Sequence, residues 1–112
     1  MKSAVISDEI QNLIDRMSQN DTEAILLGAK SNIPILNLNS ILFGTKFKIT
    51  EEEFLEVLKT KLLNSDDSFM GTPLKIFAVA SLDVLGVQKY TGKDAEICNL
   101  INSILILIKP SA

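Results

Sequence analysis

Histidine and tryptophan are absent from this sequence of 112 residues, and cysteine occurs once, at Cys98. Histidine is the usual general base at neutral pH and a leading zinc ligand, so its absence excludes Ser-His-Asp and Cys-His catalytic centres within the chain. With a single cysteine and no histidine, a structural zinc site is excluded as well. The sequence therefore predicts no catalytic residues, no metal site and no cofactor.

The single cysteine also excludes an intramolecular disulfide, which favours a reducing compartment. Residues 1–6 run directly into polar residues, without the apolar stretch of a secretory signal. The longest apolar segment, residues 97–108, is shorter than the roughly 20 residues that cross a bilayer, and Asn99 and Asn102 interrupt it. These features predict a cytoplasmic protein that does not insert into a membrane. We further expect Cys98 to be buried and unreactive, on the apolar side of its helix.

Arginine is nearly absent too, since Arg16 is the only one, and the lysines are scattered along the chain. No aromatic residues interleave with these cations to form a surface on which bases could stack. The net charge of the chain is −3, which repels phosphate rather than attracting it. We therefore expect no binding of nucleic acid.

No repeat, low-complexity tract or linker rich in proline and glycine divides the chain, which predicts a single domain over residues 1–112. Start and stop signals instead predict an all-α fold, a compact bundle of about six short-to-medium helices. The first helix is predicted over residues 7–18, where apolar residues recur at helical spacing. Asn20, with Glu23 three residues later, predicts the N-cap of a second helix that ends at Gly28.

The third and fifth helices are each predicted from a proline in the first turn and a glycine just past the end. These residues are Pro34 and Gly44 for the third helix, and Pro73 and Gly86 for the fifth. The fifth helix is apolar almost all round, so we expect it at the centre of the core.

The fourth helix carries the strongest start signal, a capping box formed by Thr50 and Glu53. The sixth is predicted from about Thr91 onwards. Its last turn, residues 104–108, is also compatible with a buried strand, but no second strand is predicted to pair with it, so we favour helix.

Negative charge is concentrated in residues 50–70, where six carboxylates and two lysines leave a local charge of −4. Capping is the expected role of Glu51 and Glu53 at the start of the fourth helix. It explains less about the carboxylates further along, which are expected to face solvent and to meet a partner of opposite charge. The candidate partner-binding residues are Glu52, Glu56, Asp66 and Asp67.

Small size, acidity and the lack of a recognisable active site favour a non-enzymatic protein-binding module. Its most concrete form is an immunity protein, an inhibitor that neutralises a cognate toxin such as a nuclease by covering it with an acidic surface. A basic toxin domain is then the expected partner.

Two alternatives remain open. A small carboxylate-based enzyme or ligand-binding helical domain would hold acidic groups of raised pKa in a cavity. A helical regulatory or oligomerisation module would expose an aliphatic patch on the third or sixth helix. The sequence does not determine the oligomeric state.

Overall fold

The computed structural model describes residues 7–69 and 71–108, and these form a helical bundle. The helices α1 to α6 cover Asp8–Ser18, Thr22–Lys30, Pro34–Lys46, Glu52–Val57, Leu74–Val84 and Ala95–Ile108. Between α4 and α5, two short strands, β1 (Ser68–Phe69) and β2 (Thr72–Pro73), pair antiparallel. The predicted all-α bundle is confirmed, and so is the helical state of residues 104–108.

Helix α4 continues without a break into a π-helix over Leu58–Leu62. There the amide of Leu63 donates to the carbonyl of Leu58 at a distance of 2.9 Å. The acceptor lies five residues earlier in the chain, whereas in an α-helix it lies four residues earlier. The hydroxyl of Thr60 donates to the carbonyl of Glu56 over 2.7 Å, which occupies an acceptor of the preceding α-turn. Leu58 and Leu62, the first and last residues of the π-helix, are both buried in the core.

Two predicted helix ends agree with the structure. Ser7 is the N-cap of α1, and its side chain accepts a hydrogen bond from the amide of Ile10 over 3.3 Å. Gly86 follows the end of α5 in the left-handed region, at a φ of 78°. Its amide donates to the carbonyl of Asp83, while Val87 donates to Leu82, each over 3.0 Å, which is a Schellman motif.

Predicted helix starts are wrong by one residue at α2 and α4, and α6, predicted from about Thr91, begins only at Ala95. Asn20 adopts a left-handed conformation with a φ of 62°, and Asp21 caps α2 by accepting from the amide of Ala24 over 3.2 Å. At α4 the N-cap is Glu51 rather than Thr50, and no side chain caps the helix. With Glu51 at the N-cap, Thr50 and Glu53 no longer occupy the positions of a capping box, and the carboxylate of Glu53 forms an ion pair with Lys30 on α2 instead.

Gly28 and Gly44 were predicted to end their helices, and this is also wrong, because both lie inside a helix and are buried. A β-carbon at Gly28 would collide with the side chains of Met17 and Ser40, and one at Gly44 would collide with the ring of Phe54. These two glycines therefore serve the close approach of neighbouring helices rather than a turn.

Helix α5 lies between α3 and α6, and Lys75 is its only exposed residue. Helix α5 is shielded on most sides, but the central place that the sequence predicted for α5 is occupied by α3. Helix α3 packs against α1, α2, α5 and α6. Where α3 meets α5, the hydroxyls of Thr45 and Ser81 lie 2.5 Å apart, which satisfies two buried polar groups. Among the side chains that the structure describes, the largest fully buried apolar ones are those of Phe54, Met17, Ile25, Ile41, Leu58, Leu62, Leu74 and Leu82.

The carboxyl end of α2 is capped by side chains from other helices. The amide nitrogen of Asn37, a buried residue of α3, donates to the carbonyls of Gly28 and Ser31 over 2.9 and 2.8 Å. The ammonium group of Lys61 donates to the same Ser31 carbonyl over 2.7 Å. Helices α2, α3 and α4 with its π-helix are thus joined by hydrogen bonds as well as by apolar packing.

Candidate partner-binding surface

Glu52 and Glu56 lie one turn apart on α4, and both are exposed. Residues four apart occupy the same face of an α-helix, so the two carboxylates point to the same side. The opposite side of this helix is fixed by Phe54 and Val57, which are buried in the core. Apolar packing therefore determines which way the two glutamates face.

Asp66 and Asp67 follow the π-helix, in the connection that leads to β1, and both are exposed. Both backbone polar groups of Asp67 form hydrogen bonds. Its amide donates to the Ser65 hydroxyl and its carbonyl accepts from the Leu74 amide, each at a distance of 3.0 Å. These bonds fix the course of the chain while the carboxylates remain in solvent.

We use the name acidic surface for Glu52, Glu56, Asp66 and Asp67. Within the described residues, none of these four carboxylates forms an ion pair. The structure brings Glu52 and Glu56 onto one helical face, whereas Asp66 and Asp67 lie beyond the end of that helix. The surface therefore consists of two pairs, separated along the chain by the last turns of α4 and the π-helix.

Neighbouring charges in the same segment have internal partners. Glu53 pairs with Lys30, and Lys61 turns toward the end of α2 to reach the carbonyl of Ser31. Lys59 stays exposed three residues after Glu56, and it moderates the field of the acidic surface together with Lys61, whose charge the neutral carbonyl of Ser31 does not cancel. The sequence pattern did not reveal the role of Lys61, because its acceptor is a backbone carbonyl 30 residues away.

Glu51 does not have the role predicted for it, which was to support a capping box at the start of the fourth helix. It is exposed and occupies the N-cap position itself, and the hydrogen bonds of a capping box are absent from α4. Its carboxylate lies next to Glu52 in the chain and adds to the negative charge at the start of this helix.

The clearest electrostatic perturbation lies elsewhere, at the junction of α1 and α2. The pKa of Asp21 is lowered, first by the hydrogen bond from the Arg16 guanidinium over 2.8 Å and then by the backbone amide of Ala24. The same contact raises the pKa of Arg16. A carboxylate enzyme would call for an acid with a raised pKa, and the shift at Asp21 has the opposite direction and a capping role.

Cys98 is exposed, so the prediction of a buried thiol is wrong. Helix α6 packs against α5 and α3 through Ile97, Leu100, Ile101 and Ile104, and Cys98 lies outside this stripe. Further along α6, Leu105 and Ile106 are 43% and 76% exposed.

No protein-family model, curated protein or solved structure gives a significant match to this chain. In the ranges 7–69 and 71–108, no group of three or more acidic or cysteine side chains could hold a metal ion. Among the helices of the same ranges, none is long and apolar enough to span a membrane.

Proposed function

We propose that this chain is a cytoplasmic protein-binding module that covers a basic partner with its acidic surface. Its most concrete form is an immunity protein that neutralises a cognate toxin such as a nuclease. One observation carries the proposal: the four carboxylates of the acidic surface are exposed and unpaired within the described residues, whereas Glu53 and Lys61 beside them have internal partners.

Unpaired, solvated carboxylates suit the capture of a partner for two reasons. No internal ion pair has to break before they meet a cation, and their field reaches into solvent and speeds the encounter with a positively charged protein. The bundle behind them is tightly packed, so the surface is presented without a large loss of conformational freedom on binding.

A nuclease is a suitable target because such enzymes hold the phosphates of nucleic acid with lysine and arginine. An acidic surface that covers those cations competes with the substrate for the same groups. The inhibitor then needs no chemistry of its own, which accords with a chain that lacks histidine.

The test begins with affinity capture from the native cell, followed by purification of the captured protein. We expect a basic protein whose toxic or nuclease activity falls when this chain is added. Changing Glu56, Asp66 and Asp67 to Lys should slow association, roughly tenfold or more at low salt, and should flatten its dependence on salt.

The matched control reverses three exposed carboxylates of α1, Asp8, Glu9 and Asp15, to Lys. Both variants have the same net charge, so a steering effect of net charge alone would slow them equally. Circular dichroism verifies that each variant is folded. Equal association rates for the two variants, or a captured partner that is acidic, would refute the proposal.

A further inference from the structure

Four large apolar side chains are exposed among the residues that the structure describes. Leu27, on α2, is 50% exposed, and Ile33, in the connection from α2 to α3, is 39% exposed. The other two, Leu105 and Ile106, belong to α6. Single exposed apolar residues are common on proteins, so their surroundings decide whether they belong to a binding site.

Leu27 is connected to the acidic pair of α4 through one ion pair. Lys30 lies one turn after Leu27 on the exposed face of α2, and it pairs with Glu53 on α4. Glu53 in turn lies one turn before Glu56 on the exposed side of α4. The exposed faces of the two helices therefore adjoin at the pair of Lys30 and Glu53, whose charges cancel. Leu27 lies on one side of this pair, and Glu56 lies on the other.

Ile33 is connected to the same region by a hydrogen bond. It lies two residues after Ser31, whose carbonyl accepts from the ammonium group of Lys61 in the π-helix over 2.7 Å. The chain that leaves the π-helix carries Asp66 and Asp67 and then forms β1, which packs against α3. Ile33 immediately precedes α3. Both exposed apolar residues thus adjoin segments that carry the acidic surface.

This combination of groups matches the composition of a protein interface, which has an apolar core depleted of charge and a polar rim that solvent reaches. Leu27 and Ile33 supply apolar area, and the acidic surface supplies charge beside it. Glu23, one turn before Leu27, adds an exposed carboxylate on α2, where it contacts Arg16 over 3.5 Å. The exposed apolar residues of α6 are placed differently, because that helix packs mainly against α5 and α3.

We propose that Leu27 and Ile33 form the apolar core of the interface whose rim is the acidic surface. The partner that fits is a protein with an exposed aliphatic or aromatic patch between its lysines and arginines, rather than a uniformly charged polycation. This assignment rests on the proposed function, because it extends the same surface from α4 onto α2. The carboxylates then speed the encounter, and the apolar residues slow dissociation.

Two synthetic helical peptides of equal charge test the proposal. In the first, leucines form one face and lysines the other, and in the second, glutamine replaces every leucine. Fluorescence anisotropy at low salt should show that the parent protein binds the leucine peptide about tenfold more tightly than the glutamine peptide. Equal affinity for the two peptides, or binding of neither, would overturn the proposal.

Leu27→Gln locates the apolar contact. In surface plasmon resonance it should raise the dissociation rate of the leucine peptide about tenfold and leave the association rate nearly unchanged. Leu105→Gln is the matched control, because Leu105 has a similar exposure, 43% against 50%, and it should change neither rate. Ile33→Gln, which lies outside the helices, is a second variant that should act like Leu27→Gln. Equal effects of Leu27→Gln and Leu105→Gln in folded proteins would also refute the apolar core.

The same measurement separates this proposal from the proposed function. Reversal of Glu56, Asp66 and Asp67 to Lys should slow association of the leucine peptide and change its dissociation rate little. If the reversal has this effect and Leu27→Gln has none, the acidic surface is retained and its apolar core on α2 is refuted. If Leu27→Gln acts and the reversal does not, the apolar contact is retained and the proposed function is refuted.

Discussion

The same four residues, Asn-Ser-Ile-Leu, occur in α3 at positions 39–42 and in α6 at positions 102–105. Both copies are helical, yet their surroundings differ. Ser40 is fully buried in α3, whereas Ser103 is exposed on α6. Local sequence thus specifies the helix in both places, but the position of the helix in the bundle determines which side chains leave solvent.

The largest effect expected from this comparison concerns its aliphatic residues. Ile41 is 0% exposed, so Ile41→Ala should lower the free energy of unfolding by about 2–5 kcal/mol. Leu105→Ala, at a residue 43% exposed, should lower it by less than about 1 kcal/mol. Urea denaturation of the two variants measures both values. Ile104, which matches Ile41 in the motif, is itself only 2% exposed, so the comparison tests Leu105: similar losses at Ile41 and Leu105 would show that Leu105 is buried.

The two serines provide a smaller and stricter test. Ser40 lies against Met17 and Gly28, with its hydroxyl 3.7 Å from the Met17 sulfur, so Ser40→Val should overpack this contact. We expect a loss of about 1–3 kcal/mol in the free energy of unfolding. Ser103→Val should change it by less than about 0.5 kcal/mol. If Ser103→Val were the more damaging change in thermal unfolding, the outward orientation of this part of α6 would be wrong.

The N-terminal ends of α1 and α4 allow a similar comparison, between a serine that caps its helix and a threonine that does not. Ser7 caps α1, so Ser7→Ala should cost about 1 kcal/mol of stability. Thr50 resembles a cap in the sequence but does not cap α4, so Thr50→Ala should change stability by less than about 0.5 kcal/mol. Denaturation curves of both variants decide between the two helix starts. A loss of about 1 kcal/mol from Thr50→Ala would show that Thr50 caps α4 as the sequence predicted.

The smallest expected effect depends on pH. Because the folded pKa of Asp21 is lowered, its carboxylate stabilises the native state above the unfolded pKa of about 3.9, and this contribution is lost as the pH falls through the folded value. Asp21→Asn should therefore unfold at a lower temperature than the parent at neutral pH. The difference should shrink in acid. Thermal scans from pH 7 to about pH 2 measure it, and a difference independent of pH would show that the pairing with Arg16 contributes nothing.

The helices themselves could be predicted from the sequence because their signals are local. The start of α1 near residue 7 and the end of α5 at Gly86 depend on hydrogen bonds within a few residues, and both predicted positions agree with the structure. Gly28 and Gly44 were misread, since their roles depend on residues of other helices: Ser40 for the first and Phe54 for the second. No local pattern distinguishes a glycine that ends a helix from one that admits a neighbouring side chain.

The candidate site was predictable to a similar degree. The exposure of Glu52 and Glu56 followed from helical periodicity, because the apolar residues of α4 recur on one face and the two glutamates lie on the opposite face. The pairing of Glu53 with Lys30 was not predictable, since it joins residues of different helices. The exposure of Cys98 was missed for the same reason: the stripe of α6 that packs on α5 is known only once the bundle is assembled.

The buried amide of Asn37 has a consequence for the motions of the native protein. The last turn of α2 cannot unwind on its own, because its carbonyls are held by a side chain that is itself locked inside α3. Opening of this region therefore requires α2 and α3 to separate as one cooperative unit. In hydrogen exchange, the Ser31 amide, bonded to Gly28 at that turn, should exchange at the same slow rate as amides in the middle of α3. Helices α1 and α6, each with one buried side chain among the described residues, should exchange faster.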